Sequence, residues 1–235
     1  EWVCPYGILC KKTVPLTIEG NGTLNVSSAN GGGIKATETN TVGTGSDTPV
    51  LNVYAGAKNG ITGKYEMTVN SGEIAVNAYN DCIKATLDRE DATGDYADSG
   101  NVTINGGTLT LSEGFRTDCN NNHFYLQGGD IYLKGGFART TSFLDKRKET
   151  NIVETCVHLG GARIHSTGDW TCNLGVSLTG VNGDVTFDTA GSNATFNHVI
   201  SGKGGLIKEG AGTLTLAKTN TFTGKIITKG NLFLS

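Results

Sequence analysis

The chain has 235 residues, is 37% hydrophobic and carries a formal net charge of −3, which suits one elongated domain or two small ones. It contains 35 Gly, 32 Thr and 21 Asn but three Pro and one Met. The absence of a Gly-X-Y period excludes collagen, and recurrent β-branched residues argue against disorder. Mild acidity without a basic block argues against nucleic acid as a partner, and no run of 18 apolar residues is present to insert into a membrane.

A repeat with strand periodicity organises most of the chain. In one copy, Val102 and Ile104 precede a Gly-containing bend, and Leu109 and Leu111 follow it, so apolar residues lie two positions apart. Strands this short cannot bury a face alone, which means that the copies must stack. The repeat occurs in residues 16–26, 66–76, 101–111, 123–133 and 156–166.

A shorter third element follows each copy and contains one large apolar residue after a small or polar one. Its copies are residues 33–36, 82–85, 114–117, 136–139 and 169–172, with a further copy predicted at 60–62. Three strands per turn with insertions at one corner predict an all-β, right-handed parallel β-helix, a solenoid. Eight or nine coils at ~4.8 Å would give a rod of about 40 Å. An antiparallel sandwich fits the alternation but not the third element.

The chain is expected to form one continuous domain in three parts. Residues 1–15 are predicted to be an N-terminal cap, residues 16–172 irregular coils with insertions, and residues 173–235 regular coils. The even cysteine count favours disulfides and an extracytoplasmic protein, secreted or at the cell surface, with buried free thiols as the alternative. The pairs that we expect, the first of them stapling the cap, are Cys4 with Cys10, Cys82 with Cys119, and Cys156 with Cys172.

Two parts of the sequence resemble known families. Residues 204–216, followed by 220–224, resemble the autotransporter-associated β-strand repeat, which is specific for β-helix coils and says little about function. Residues 16–172, with their Gly-Gly-Thr-Leu and Gly-Ile-Lys-Ala elements, resemble the β-helical carbohydrate-binding domains of secreted gut-bacterial proteins, and within them carbohydrate-binding module family 89. This resemblance implies a non-catalytic domain that binds a polysaccharide, with xylan or a related hemicellulose as ligand, tethered to a catalytic glycoside hydrolase domain.

Stacking the repeats places aromatic and polar rings side by side on the outer surface. Alternation predicts that Tyr125 and Tyr132 point outward, and that the next coil sets His158 beside Tyr125 and His165 beside Tyr132. An exposed ring beside hydrogen-bonding groups can bind the face of a sugar. The alternative is that tyrosine is there because it favours strands.

The third element predicts a basic column on the outer surface, formed by Lys35, Lys84 and Arg116 with Arg139 nearby. These side chains either form internal ion pairs with the acids that follow them, Glu38, Asp88 and Asp118, or Arg116 and Arg139 contact uronic acid groups or hydroxyls of a glycan. Tyr79 lies in a polar loop before Cys82 and is a further candidate for ligand binding. By alignment, Trp170 belongs to the core.

An acidic insertion after the third element could bind calcium, which takes six to eight oxygen ligands, although a solvated loop is the alternative. Its candidate ligands are Asp88, Asp91, Asp95 and Asp98. The enzymatic alternative to a binding module is a calcium-dependent polysaccharide lyase, with Lys84 or Arg116 accepting the proton. A third hypothesis, an adhesin or autotransporter passenger fragment, rests on the C-terminal repeats. A fold by itself confers no activity, so the sequence favours the non-catalytic binding module.

Overall fold

The computed structural model describes residues 5–11, 14–85, 100–117, 123–139 and 155–235, and all regular secondary structure in these ranges is β-strand. Across these ranges, no helix of the length and hydrophobicity needed to cross a bilayer is found.

The strands form four parallel sheets along three sides of the molecule. Sheet 1 contains β2 (Leu16–Ile18), β5 (Thr39–Val42), β8 (Glu66–Val69), β11 (Asn101–Ile104), β14 (Phe124–Leu126), β17 (Thr155–Leu159), β20 (Gly175–Leu178) and β23 (Ile200–Gly202). Sheet 2 contains β3 (Thr23–Ser28), β6 (Val50–Ala55), β9 (Glu73–Ala78), β12 (Thr108–Leu111), β15 (Asp130–Leu133), β18 (Arg163–Ser166), β21 (Val185–Asp188), β24 (Leu206–Glu209) and β26 (Ile226–Thr228).

The third side carries two sheets in succession. Sheet 3 contains β1 (Tyr6–Cys10), β4 (Gly32–Ala36), β7 (Ile61–Gly63), β10 (Ile83–Ala85), β13 (Phe115–Thr117) and β16 (Phe137–Arg139). Sheet 4 contains β19 (Trp170–Cys172), β22 (Ala194–Phe196), β25 (Thr213–Leu216) and β27 (Asn231–Leu234).

As far as β25, neighbouring strands of a sheet lie three places apart along the chain and pair in parallel, and β24 and β25 then pair with β26 and β27, so the described strands wind as a solenoid. The repeats are in register: Val102 pairs with Phe124, and Leu109 with Ile131. The all-β parallel architecture predicted from the sequence is therefore present, and the antiparallel sandwich is not. Sheet 1 has eight strands, each starting one full coil, whereas β1 and the pair β26–β27 form partial coils at the two ends. The right-handed winding and the three-part division of the chain stay predictions.

The bend between sheets 1 and 2 depends on glycine. Gly107 has φ 86° and Gly129 has φ 83°, values that L side chains rarely adopt. A Cβ on Gly129 would lie 2.5 Å from the carbonyl oxygen of Gly107 in the coil below. The Gly-Gly pairs of the repeat therefore permit both the turn and the close stacking of successive turns.

One complete coil, formed by β5, β6 and β7, lies outside the five repeats recognised in the sequence. Residues 43–49 separate its first two strands, and Asp47 fixes this connection by accepting hydrogen bonds from the N–H groups of Gly20 and Thr44, both at 2.7 Å, and from the Ser71 hydroxyl at 2.8 Å. The bonds from Thr44 and Gly20 are the main reason that the pKa of Asp47 lies well below its usual range. The extra third element predicted at residues 60–62 belongs to this coil as β7.

The longest connections from the third side back to sheet 1 are residues 86–100, 118–123 and 140–154. The described strands that flank these connections place both ends of each at one corner, where the sequence predicts the insertions. Other long connections are residues 43–49 and 179–184, between sheets 1 and 2, and residues 217–225, between sheets 4 and 2.

Inward side chains form ladders through the interior. Phe115 and Phe137 stack with ring centroids 5.3 Å apart at an interplanar angle of 8°, and Phe137 meets Trp170 edge to face at 6.2 Å. Trp170 is buried, as predicted, and its indole N–H donates to the Ser166 hydroxyl at 2.9 Å. Aromatic rings therefore run along the core across the change from sheet 3 to sheet 4.

The prediction of a disulfide-stapled N-terminal cap is wrong. Cys10 and Cys82 are free thiols, so the bridges Cys4–Cys10 and Cys82–Cys119 are not formed. Cys10 ends β1 in register with Ala36, because residues 6–10 extend sheet 3 instead of lying across the end. Cys4 and Cys119 lie outside the described residues.

The environment of Cys82 explains why it stays a thiol. Its Sγ lies 3.3 Å from the Val76 carbonyl oxygen and 3.1 Å from the Glu113 amide nitrogen, and burial raises the pKa of the thiol. Cys172 is also buried, with Sγ 3.6 Å from the Leu174 carbonyl oxygen. No disulfide is present among the residues that the structure describes, so the third predicted pairing, Cys156 with Cys172, is not formed either.

The aromatic ladder predicts a specific stability loss. Phe137→Ala removes a ring that contacts Phe115 and Trp170 and should lower the free energy of unfolding by about 3–5 kcal/mol, measured by urea denaturation. The control is Thr171→Ala, which changes an exposed position of the neighbouring strand. It should change the free energy of unfolding by less than about 1 kcal/mol. Equal stability of the two variants would contradict the proposed role of the ladder.

Candidate functional site

The predicted ligand-binding residues lie on different faces of the solenoid. Tyr132 and His165 are on sheet 2, and Tyr125 and His158 on sheet 1. The basic residues are on sheet 3, and Tyr79, with 74% of its surface exposed, follows β9. One site built from all of them is therefore not formed.

Tyr132 and His165 are register partners on the outer surface of sheet 2, as the repeat predicts. Their rings stack with centroids 4.1 Å apart and an interplanar angle of 5°. His165 is also engaged at both nitrogens, with Nε2 3.0 Å from Asp130 Oδ1 and Nδ1 3.3 Å from Asp188 Oδ2. One face of each ring is thus covered by the other, which leaves the edges and the far face of Tyr132 for a ligand.

A network of charges continues from His165 toward the C-terminus. Arg163 pairs with both Asp188 and Glu209, and Lys229 pairs with Glu209 at 2.8 Å. Partial burial raises the pKa of Asp188, but the Ala190 N–H and the facing His165 and Arg163 outweigh this, so that the pKa lies below its usual value. The charged groups on this part of sheet 2 are therefore paired with one another.

The second ring pair, on sheet 1, has a similar stacking geometry, but its histidine lies beside a second histidine. Tyr125 and His158 stack at 4.5 Å and 12°, and His123 Nδ1 lies 2.9 Å from His158 Nε2. Burial, followed by the nearby His123, lowers the pKa of His158 to about 4. His158 is consequently a neutral ring at neutral pH, suited to stacking.

The basic column on sheet 3 is interrupted. Register places Thr62 between Lys35 and Lys84, so the two lysines are two coils apart. Arg116 follows Lys84, and its Nε donates to Asp81 Oδ1 at 2.7 Å. Ala138 takes the next place in the column, not Arg139, whose side chain is not described. For Arg116, the structure therefore supports the internal ion pair, although Asp81 is not one of the partners expected.

The predicted calcium ligands Asp88, Asp91, Asp95 and Asp98 all lie outside the described residues. Among the residues that are described, no group of three or more His, Cys, Asp or Glu side chains converges in the manner of a metal site. Calcium binding and the calcium-dependent lyase stay untested predictions.

Sheet 2 carries a groove of about 860 Å³ that sequence reasoning missed. Its walls come from two outward columns, each with one residue per coil, separated by the buried residues of the same strands. Its lining residues are Asn25, Val26, Ser27, Asn52, Val53, Tyr54, Ala75, Val76, Asn77, Ala78, Thr110, Leu111, Ser112, Glu113, Lys134 and Thr167.

The depth of the groove follows from side-chain size. Ala75 lies between Asn52 and Thr110 in the first column, so that column is lowest at its middle. The amides at its end are ordered, because Asn52 Nδ2 donates to Asn25 Oδ1 at 2.8 Å. The groove thus combines an apolar floor with amide and hydroxyl groups at fixed positions, which suits sugar rings with apolar faces and polar edges.

Tyr54 is the aromatic residue of the groove. It is 48% exposed, and its register partners are Ser27 and Asn77, neither of which has a ring to cover it. Tyr54 therefore offers a ring face that Tyr132 and Tyr125 share with histidines. The alternation of apolar residues in 50–55 predicts a strand with Tyr54 on its outer face. Tyr54 was not singled out from the sequence, because the coil that contains this strand was not recognised as a repeat.

The exposed aromatic, amide and hydroxyl groups of the groove are of the kinds that stack on sugar rings and hydrogen-bond to their hydroxyls. Residues 8–190 match the family of carbohydrate-binding domain-containing proteins. The match spans more than half of the chain, which therefore belongs to this family and has a carbohydrate-binding role.

The chain is also similar to two autotransporters. These are the Neisserial autotransporter lipoprotein NalP of Neisseria meningitidis serogroup B strain MC58 and that of serogroup B, serotype 15, strain H44/76. Each is 36% identical over an alignment 89 residues long, which covers 34% of this chain and 8% of the autotransporter. The similarity thus reaches a small part of those proteins. No solved structure matches the chain.

The half-buried ring pair of Tyr125 and His158 predicts an unusual titration. In a histidine-detected NMR titration, the imidazole of His158 should have its midpoint at about pH 4, since burial disfavours its charged form. Because this pKa lies below the unfolded value near 6.5, the contribution of His158 to stability is complete above pH 6.5 and falls as the pH drops toward 4.

Resonances can be assigned by single substitutions, since the chain has four histidines. His158→Phe should remove the low midpoint while retaining a ring against Tyr125. A midpoint near 6.5 for His158 would show that the pair is solvated.

Proposed function

We propose that this chain is a non-catalytic module that binds a plant cell-wall polysaccharide, most favourably xylan, in the groove of sheet 2. The observation that carries the proposal is the alignment of Tyr54 with the amide side chains of Asn25, Asn52 and Asn77 along one open groove. An exposed tyrosine supplies a stacking surface, and amides supply donors and acceptors for hydroxyl groups. Xylan is the ligand that the resemblance to carbohydrate-binding module family 89 implies.

The chemistry of the groove supports binding over hydrolysis. Glycoside hydrolases of the common type use two carboxylic acids that flank the scissile bond. Among the described residues that line the groove, Glu113 is the one carboxylic acid. The groove is thus equipped to hold a sugar chain.

The location and attachment of the module follow the same proposal. A ligand outside the cell requires a secreted or surface-exposed protein, and the similarity to autotransporter lipoproteins supports this location. A tethered glycoside hydrolase domain would gain effective concentration on its substrate from the module. The autotransporter similarity also makes a surface adhesin the second candidate.

Affinity electrophoresis of the native protein tests the proposal against xylan, glucuronoxylan, polygalacturonate, β-glucan and cellulose. We expect retardation by xylan and an affinity about tenfold lower in Tyr54→Ala, since loss of one stacked ring removes about 1.4 kcal/mol. Phe233→Ala removes an aromatic residue that is 64% exposed in the last strand, outside the groove, and should bind like the parent chain.

Two further readings separate the alternatives. Ultraviolet absorbance during incubation would rise if a lyase produced unsaturated sugars, and such a rise on polygalacturonate would overturn the non-catalytic proposal. Retardation that EDTA abolishes would support the predicted calcium site. Mobility unchanged by every polymer would favour the adhesin.

A further inference from the structure

We infer that the groove of sheet 2 holds its polysaccharide parallel to the solenoid axis, with one sugar unit at each of six successive coils. This inference deepens the proposed function and rests on it. It assigns the ligand class as an extended polymer at least six units long and gives the order in which its units meet the protein.

The second wall of the groove supplies one side chain per coil. Tyr54 is in register with Ser27 below it and Asn77 above it. The column continues because the N–H of Ser112 donates to Val76 O, which sets Ser112 beside Asn77. The column is Ser27, Tyr54, Asn77, Ser112, Lys134 and Thr167, all of which line the groove.

Strand register and a backbone hydrogen bond also place the last two residues, Lys134 and Thr167, in this column. Lys134 follows Leu133, the register partner of Leu111, and therefore lies beside Ser112. The N–H of Thr167 donates to Leu133 O at 2.9 Å, which places Thr167 beside Lys134. Six coils in sequence thus present one side chain each to the same groove.

The spacing of the coils matches that of an extended sugar chain. Neighbouring strands are ~4.8 Å apart, so six coils span about 24 Å along the axis. The rise of one unit in an extended pyranose polymer is close to this strand spacing. A chain lying along the axis therefore keeps its register with the coils, whereas a chain lying along a strand crosses the two columns and leaves the groove.

The side chains also give the groove a direction. Its first three coils present neutral groups, from Asn25 and Ser27 to Asn77. Lys134, at the fifth coil, is exposed and presents an ammonium group. A chain in the groove therefore meets Tyr54 at one end and Lys134 at the other, three coils or about 14 Å away.

Calorimetric titration with β-1,4-xylo-oligosaccharides of two to eight units tests this arrangement. We expect affinity to rise with each added unit up to six and then to level off. Tyr54→Ala should weaken the trimer and the hexamer alike, because the exposed ring holds both. Lys134→Ala should weaken the hexamer by about threefold to tenfold and leave the trimer unchanged.

Lys203→Ala is the matched control, since Lys203 is an exposed lysine outside the groove, and it should bind every oligomer like the parent chain. Affinity that levels off at two or three units, or an equal loss for trimer and hexamer in Lys134→Ala, would overturn the inference while leaving the xylan proposal intact. If polymeric xylan itself does not bind, the proposed function fails and the inference fails with it.

Discussion

Parallel, in-register hydrogen bonding between successive coils is the constraint on which the rest of this structure depends. Once Thr108 pairs with Asp130, and Leu109 with Ile131, each side chain must lie directly over its equivalent in the coil below. Inward columns become the aromatic ladder through Phe115 and Phe137, because the register brings equivalent inward residues of successive coils into contact. Outward columns are aligned by the same hydrogen bonds, so the surface inherits the periodicity of the core.

Whether an outward column can bind a ligand depends on the sizes of its neighbours. Where two rings are adjacent, as Tyr132 and His165 are, they stack, and each ring covers one face of the other. Where a ring stands between small residues, as Tyr54 does between Ser27 and Asn77, it remains open to a ligand. The sizes of neighbouring side chains also determine the depth of the groove, whose floor is lowest where Ala75 replaces a larger side chain.

Much of the fold was predictable because alternation and glycine placement are local signals. The parallel coils, the core position of Trp170 and the pairing of Tyr132 with His165 all follow from aligning repeats. The coil containing Tyr54 was missed because residues 43–49 displace its strands, and its site was missed with it. Other features depend on contacts that no repeat encodes. Arg116 meets Asp81 across 35 positions of sequence, and Lys208 is fully buried because its ammonium group donates to the Glu209 and Gly210 carbonyls at 2.6 and 2.9 Å.

The most direct test of this account is a crystal structure of the chain with a β-1,4-linked xylohexaose. The account predicts electron density for a sugar chain in the groove of sheet 2, parallel to the solenoid axis, with one ring against Tyr54 and the chain extending toward Lys134. Density that crosses the groove along a strand, or that lies on the Tyr125–His158 face of sheet 1, would contradict it.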